Sequence, residues 1–507
     1  MLRKVRTILA AVLFALITLL FLDFTGTLHH WLSWLAKIQF LPAVMALNVI
    51  VVVALLLLTI IFGRIYCSVI CPLGIFQDVL ARLHRKKNKY NYSKEVVWLR
   101  YPMLTVFILA AVAGAGSLFQ LLAPYSSYGR IATMIFQPLW KMGNNVLAVL
   151  AERADSYAFY SVDTWMRSMP VFLIAAVTLV LLVVLAWRGG RTYCNTICPI
   201  GTILSFFARF SWFKIRFNTD KCKNCSLCSK NCKAACIDYK THSIDYTRCV
   251  VCGNCIDKCK FGALKYTSKS SLTSKSSRTS THSTPSSPSI TSDSSPIDSS
   301  KRSFLLATAL VSTAALAQKK KEKLMDGGLA ELENKVAPER QTPLTPPGSL
   351  SFQNLSTRCT GCQLCVSECP NQVLRPSSDL LHLMQPTMSY EHGYCRPECT
   401  RCSEVCPAGA IQKIDKEEKT AIQIGHAVWI KRNCVPITDG VECGNCARHC
   451  PSGAIEMVPL DENDEESPMV PAINEAACIG CGACEYVCPA RPFSAIYVEG
   501  HEVHKKI

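Results

Sequence analysis

Cys359, Thr360, Gly361, Cys362, Gln363, Leu364, Cys365, Val366, Ser367, Glu368, Cys369 and Pro370 read C-x2-C-x2-C-x3-C-P, and this stretch decides the fold. Three thiols at that spacing wrap one [4Fe–4S] cubane, and the fourth commonly serves the partner cubane of a pair. Cys478, Cys481, Cys484 and Cys488, followed by Pro489, repeat the pattern. Four further blocks vary it. Cys222, Cys225, Cys228 and Cys232 keep the spacing with Lys233 in place of the proline, and Cys249, Cys252, Cys255 and Cys259 keep it with Lys260. Cys395, Cys399, Cys402 and Cys406 have one extra residue in the first loop, and Cys434, Cys443, Cys446 and Cys450 have a long one. Of the 29 cysteines, five stand outside these six blocks: Cys67, Cys71, Cys194, Cys198 and Cys236. Cys236 is an alternative to Cys232 as fourth ligand of its block.

Disulfide frameworks do not set thiols three residues apart in repeated blocks. Zinc ribbons use two C-x2-C pairs at wider separation. The six blocks therefore predict six [4Fe–4S] clusters and electron transfer. Spacing leaves two pairings open for the last four blocks: neighbours together, or first with fourth and second with third.

The other half of the chain is apolar. Residues 7–22, 43–62, about 101–121 and about 170–187 are uninterrupted enough to span a bilayer, with charges confined between them. Arg3, Lys4 and Arg6 precede the first run; Arg82, His84, Arg85, Lys86, Lys87 and Lys89 follow the second; Arg188 and Arg191 follow the fourth. By the positive-inside rule the N-terminus and the first cluster pair are cytoplasmic. Residues 267–300 are Ser/Thr-rich with almost nothing to bury and read as a disordered linker. Lys301, Arg302 and an apolar run to Ala317 follow, either a short fifth helix or an internal export signal of twin-arginine type. Both alternatives put the last four blocks outside the cytoplasm. The expected fold class is membrane α, with four transmembrane helices and this short segment, plus α+β ferredoxin-like [4Fe–4S] domains. The expected organisation is a membrane domain over 1–210, a two-cluster ferredoxin over 211–266, the linker over 267–300, the signal-like segment over 301–318 and a four-cluster domain over 319–507. Short β-prone pieces over 421–424, 454–457 and 494–498 alternate with its cysteine blocks.

Two of the apolar runs end in the same words. Arg64, Tyr66, Cys67, Cys71, Pro72, Leu73 and Gly74 match Arg191, Tyr193, Cys194, Cys198, Pro199, Ile200 and Gly201, each set as R-x-Y-C-x3-C-P-[LI]-G. Self-similarity implies two equivalent two-helix units. Proline and glycine alone make this a helix–turn device. The four thiols also make Cys67, Cys71, Cys194 and Cys198 candidates for a redox-active or metal-binding set.

These features resemble a known family. Residues 1–265, with the paired Tyr-Cys-x3-Cys-Pro motifs and the clusters of 222–259, resemble the NapH/NosR-type membrane quinol dehydrogenase component. Residues 301–500, with the Lys-Arg start and four cysteine blocks, resemble the NapG/MauM-type periplasmic ferredoxin. The resemblance implies a fusion of two partner subunits in a bacterial inner (cytoplasmic) membrane. It implies electrons drawn from the quinone pool, with quinol as substrate, and passed to a periplasmic reductase or cytochrome. His29 and His30, at the outer end of the first span, are candidate proton acceptors for that step. The Cys-x3-Cys-Pro motifs also resemble copper-handling ferredoxins associated with cytochrome oxidase, so a membrane metal (copper) reductase or assembly factor is the alternative; four extra cubanes argue instead for a long wire. A redox sensor needs far fewer ligands. No nucleotide-binding glycine fingerprint, flavin motif or C-x2-C-H haem signature occurs. The formal charge of +17 lies largely in loops and the linker, so it reports topology and not nucleic-acid binding. The acidic run 461–466 reads as a solvated loop.

Overall fold

A computed structural model describes residues 2–83, 90–268, 335–461, 463, 464 and 467–507. The basic residues of 84–89, the linker from 269 and the signal-like segment 301–318 lie outside the described residues, as do three positions of the acidic run. The first apolar run folds as one helix, Leu2–Leu22, and the fourth as Met169–Gly189, 21 residues each. Among the described residues these two are long and apolar enough to cross a membrane. Their outer faces are bare hydrocarbon, with Ile8 64% and Val177 67% exposed, a surface that suits lipid and not water.

The second and third apolar runs are each divided by a turn, so neither is a single helix of spanning length among the described residues. The second run breaks into Phe40–Met45 and Val49–Phe62. Leu47 takes a left-handed conformation (φ 54°) and Asn48 Oδ1 accepts from Val51 N to start the second piece. The third run breaks at Gly114 (φ 71°) into Val97–Val112 and Gly116–Leu122. Hydropathy sums over these turns and does not register them.

After Val49–Phe62 the chain turns through Tyr66–Val69 into Pro72–Leu83; after Met169–Gly189 it turns through Thr192–Thr196 into Pro199–Ala208. The sequence repeat is thus a structural repeat, with each proline opening its helix as first-turn proline should.

Among the described residues the cysteine-rich parts carry five two-stranded antiparallel sheets. The three β-prone pieces are strands: Ile422–Trp429 pairs with Ile496–Lys506, and Ile455–Pro459 with Met469–Ile473. Lys214–Phe217 pairs with Leu264–Thr267 and encloses the first two blocks.

The first helix carries a cysteine-rich segment at each end. At its start Arg3 pairs with Asp257, inside the second block. At its far end Phe21 shares a core with Tyr125, Tyr128, Cys362 and Leu364. Just beyond, His29 Nδ1 lies 2.6 Å from Glu368 Oε2, beside Cys369. A helix of this length covers about 30 Å.

Candidate iron–sulfur and thiol sites

Four of the six cysteine loops are built by backbone that most residues avoid. Asn224 and Ser226, Val251 and Gly253, Gly361 and Gln363, and Gly480 and Gly482 all have positive φ, between 49° and 78°. In each of these four blocks the two residues flank the middle cysteine, so the chain curls and aims its thiols at one point. Asn and Gly suit that region; Val251 does not, and it is held there by the packing of its loop.

Cys222, Cys225, Cys228 and Cys259 line one cavity. Cys232, Cys236, Cys249, Cys252 and Cys255 line the next. The fourth cysteine of each block thus crosses to its neighbour's cavity, as a two-cluster module requires. Cys236 Sγ is 3.5 Å from Cys232 Sγ. A hydrogen bond from Cys236, outweighing burial, draws the Cys232 thiol down to about 7, which favours Cys232 as the thiolate and Cys236 as its donor.

Lys233, where the pattern has proline, reaches Asp78 Oδ1 at 3.3 Å, and its carbonyl accepts from Arg191 N at 2.9 Å. The departure from the motif is therefore a docking contact. Lys260 is exposed.

In the C-terminal region Cys369 lines a cavity with Cys395, Cys399 and Cys402. Cys406 lies in electrostatic contact with Cys359, Cys362 and Cys365. Cys450 does the same with Cys478, Cys481 and Cys484. Cys443 and Cys434 act on Cys446, and Cys488 belongs to the same core. Neighbouring blocks pair. The two pairs meet where Cys395 N donates to Cys481 O at 3.0 Å and Tyr390 OH donates to Gly480 O at 2.6 Å. The result is a row of four sites, starting at the helices and ending at Cys434.

Main-chain N–H groups point at the sulfurs: Gly361 to Cys359 (3.4 Å), Ile411 to Cys406 (3.4 Å), Ala495 to Cys488 (3.2 Å) and Ala263 to Cys259 (3.3 Å). Such donors stabilise sulfur-borne negative charge and raise a cluster's potential. An isolated two-stranded sheet is marginal in water, so iron holds these segments together. Anaerobic chelation of the full chain is expected to abolish the β signal in circular dichroism and open residues 340–507 to protease. Retained protease resistance after loss of iron would contradict this.

The four remaining thiols come together. Cys67, Cys71, Cys194 and Cys198 are all buried and interact electrostatically with one another. The arrangement is reciprocal. Arg64 Nη2 donates to Cys194 O at 3.2 Å, and Arg191 Nη1 donates to Cys67 O. A Cβ on Gly74 would strike the Cys67 carbonyl and Arg191, and one on Gly201 the Cys194 carbonyl and Arg64. The repeated arginine and glycine act together: arginine crosses to the other unit, and glycine lets it pass. Gly201 N donates to Cys198 Sγ at 3.3 Å, and Gly74 N does likewise to Cys71. Gln77 Nε2 donates to Cys194 Sγ at 3.3 Å, while Gln77 Oε1 and Arg64 Nε are buried without partners. Asp78 collects Arg6 (3.1 Å), Arg191 (2.8 Å) and Lys233. Neither Gln77 nor Asp78 belongs to the repeated words, so the motif did not signal them.

The two histidines part company. His30 is exposed. His29 is buried with Asp23 and Glu368, the group of ligand atoms found within 4.8 Å of one another among the described residues. Burial lowers the His29 pKa, but hydrogen bonds to Asp23 and Glu368 outweigh it and raise it.

This geometry is that of an iron–sulfur electron-transfer protein, and its two long apolar helices suit association with a membrane. A family model described as "4Fe-4S binding domain" matches residues 44–91 and 169–219, spanning both thiol repeats, and another of that description matches 242–265. A "4Fe-4S dicluster domain" matches 358–410 and 441–491. The ferredoxin-type protein MauM of Paracoccus denitrificans is 31% identical over 168 residues, 32% of this chain and 73% of MauM. The ferredoxin-type protein NapH of Haemophilus influenzae is 23% identical over 216 residues, 41% of this chain and 63% of NapH. The putative electron transport protein YccM of Escherichia coli is 23% identical over 231 residues, 43% of this chain and 55% of its own length. No solved structure matches the chain. The chain belongs to the ferredoxin-type electron-transport family of MauM, and it is consistent with a NapH-like part joined to a NapG-like part.

Proposed function

We propose that the protein oxidises quinol in a bacterial inner membrane and passes the electrons through its clusters to a periplasmic reductase or cytochrome. One observation carries the reading. The first helix, long enough to span, has the 222–259 cysteine module at its start and the 359–488 row at its far end. With basic Arg3, Lys4 and Arg6 at its start, the first module is cytoplasmic and the row periplasmic. The matched NapH and MauM names support electron transfer of this type.

The 24 block cysteines are the proposed ligands of six [4Fe–4S] clusters, which when bound carry one electron each and no protons. The chain's residues do the rest. The thiols are held in place by the left-handed loops, the N–H donors favour the reduced state, and protons need separate acceptors. His29, buried between Asp23 and Glu368, is one such group beside Cys369. Cys67, Cys71, Cys194 and Cys198 are the proposed relay between the two modules. Arg64 joins them to the first module through Thr247 O at 2.8 Å, two residues before Cys249. Tyr66 and Tyr193 flank them on the other side, and Tyr66 interacts with Tyr125, which interacts with Cys362.

Menadiol added to the purified full chain is expected to bleach the cluster absorption, and a reporter fused after Ile507 is expected to be active only outside the cytoplasm. Unbleached clusters would refute quinol oxidation, and a cytoplasmic reporter signal would refute the transmembrane route.

A further inference from the structure

A cavity of about 360 Å³ lies where the helices meet the 359–406 cluster pair. Its walls come from three places: residues 133–142 of the helical stretch, the loop 163–167 with Phe172 of the long helix, and Gln372 of the cluster region. The seam is pinned. Gln137 Nε2 donates to Ser367 O at 3.2 Å and Trp165 Nε1 donates to Gln372 Oε1. The Trp165 ring also stacks on His392 at 4.2 Å.

The lining is mostly apolar, with Met134, Ile135, Leu139, Met142, Met166 and Phe172. Against it stand a few polar groups with nothing to bind. Arg167 Nη1 and Thr133 Oγ1 are buried without hydrogen-bond partners. Buried donors left open cost stability unless a ligand or water meets them. Arg167 also interacts electrostatically with Cys365 and Cys369, ligands of two different clusters of the row. Lys141 and Asp163 complete the polar set, and burial with the neighbouring Arg167 draws the Lys141 ammonium down to about 8. Leu139 and Met142 are 61% and 54% exposed, so one wall of the cavity continues onto the apolar outer surface.

We infer that this cavity is the quinol site: a ring with hydroxyls on opposite sides binds between Thr133 and Arg167, and its isoprenoid tail leaves past Leu139 and Met142. The inference rests on the quinol reading above and adds its place and residues. A cavity of this volume, apolar with a few convergent polar groups, fits a small redox-active ring. The step balances as follows. Two O–H bonds of the quinol break. Their protons pass one at a time to the exposed Asp163 carboxylate and from there to water. The two electrons would leave singly to the clusters that Cys359, Cys362, Cys365 and Cys406, and Cys369, Cys395, Cys399 and Cys402, would hold. Quinone departs.

The test follows menadiol-driven cluster bleaching in the purified full chain, with dithionite as a reductant that needs no site. Met134→Trp fills the cavity, and Leu139→Trp blocks its mouth from an exposed position that tolerates the ring. Both are expected to raise the menadiol concentration for half-maximal rate by about tenfold or more, the scale of a small misfit in an apolar pocket. Bleaching by dithionite stays complete. Menadione is expected to quench Trp165, a quench lost in Trp165→Phe. Should Met134→Trp fail to retain its clusters, Leu139→Trp decides. Unchanged menadiol kinetics in Leu139→Trp would overturn the site while leaving quinol oxidation standing. A wild-type chain inert to menadiol would overturn both.

Discussion

Replacing Cys67 and Cys194 together with serine is expected to leave all six cubane sites loaded and yet separate them into two electrically isolated groups. In the unaltered chain, menadiol should reduce clusters on both sides of the helices; in the double variant the row at 359–488 should still bleach while the module at 222–259 stays oxidised. A hydrocarbon core of about 30 Å separates the two without a stepping stone. The four thiols interrupt that gap, between Thr247 and Tyr125. Iron analysis supplies a second measure. The unaltered chain should hold iron beyond that of its cubanes, and the double variant should lose only that excess. Zinc or copper in its place, or reduction of the inner module in the double variant, would sink the relay.

Asp78→Ala is expected to be the most damaging single substitution outside the cysteines. Asp78 is buried and compensates three cations drawn from three parts of the chain: Arg6 of the first helix, Arg191 of the second repeat and Lys233 of the first cluster module. Removing one partner of a buried ion pair costs about 3–5 kcal/mol, because the remaining charges stay buried and uncompensated. Lys233→Met removes one of the three, spares the carboxylate and should cost less. The measurement is the thermal midpoint together with protease sensitivity near 211–220, where the first module joins the helices. A midpoint for Asp78→Ala equal to that of Lys233→Met would contradict this ordering.

Much of this was legible in the residues because cubane ligands are local. Three thiols within seven residues announce a cluster wherever the loop is later placed, and Cys359 to Cys369 needed no tertiary knowledge. The repeat at Arg64 and Arg191 was legible for a similar reason, since identical words require identical surroundings. Pairing of the C-terminal blocks was not, because only the fold brings Cys406 back to Cys362. The turns inside the runs at 43–62 and 101–121 were not legible, because a break at Leu47 or Gly114 barely alters mean hydropathy. Lys233 looked like a flaw in a motif; its partner Asp78 lies in another element. The cavity beside Cys369 draws its walls from three distant stretches, none with a pattern of its own.

The reciprocal arginines carry a consequence for how the protein is made. Arg191 reaches the Cys67 carbonyl across a separation of 124 positions in the chain, and Arg64 reaches back to Cys194. A ribosome that has delivered the first repeat has delivered half of a lock, with two cysteines already at the membrane and their clasp not yet synthesised. Until the second repeat emerges, that half must wait with its thiols unguarded. Assembly of the four-thiol set is therefore a late event in biogenesis, possible only after both repeats have been synthesised.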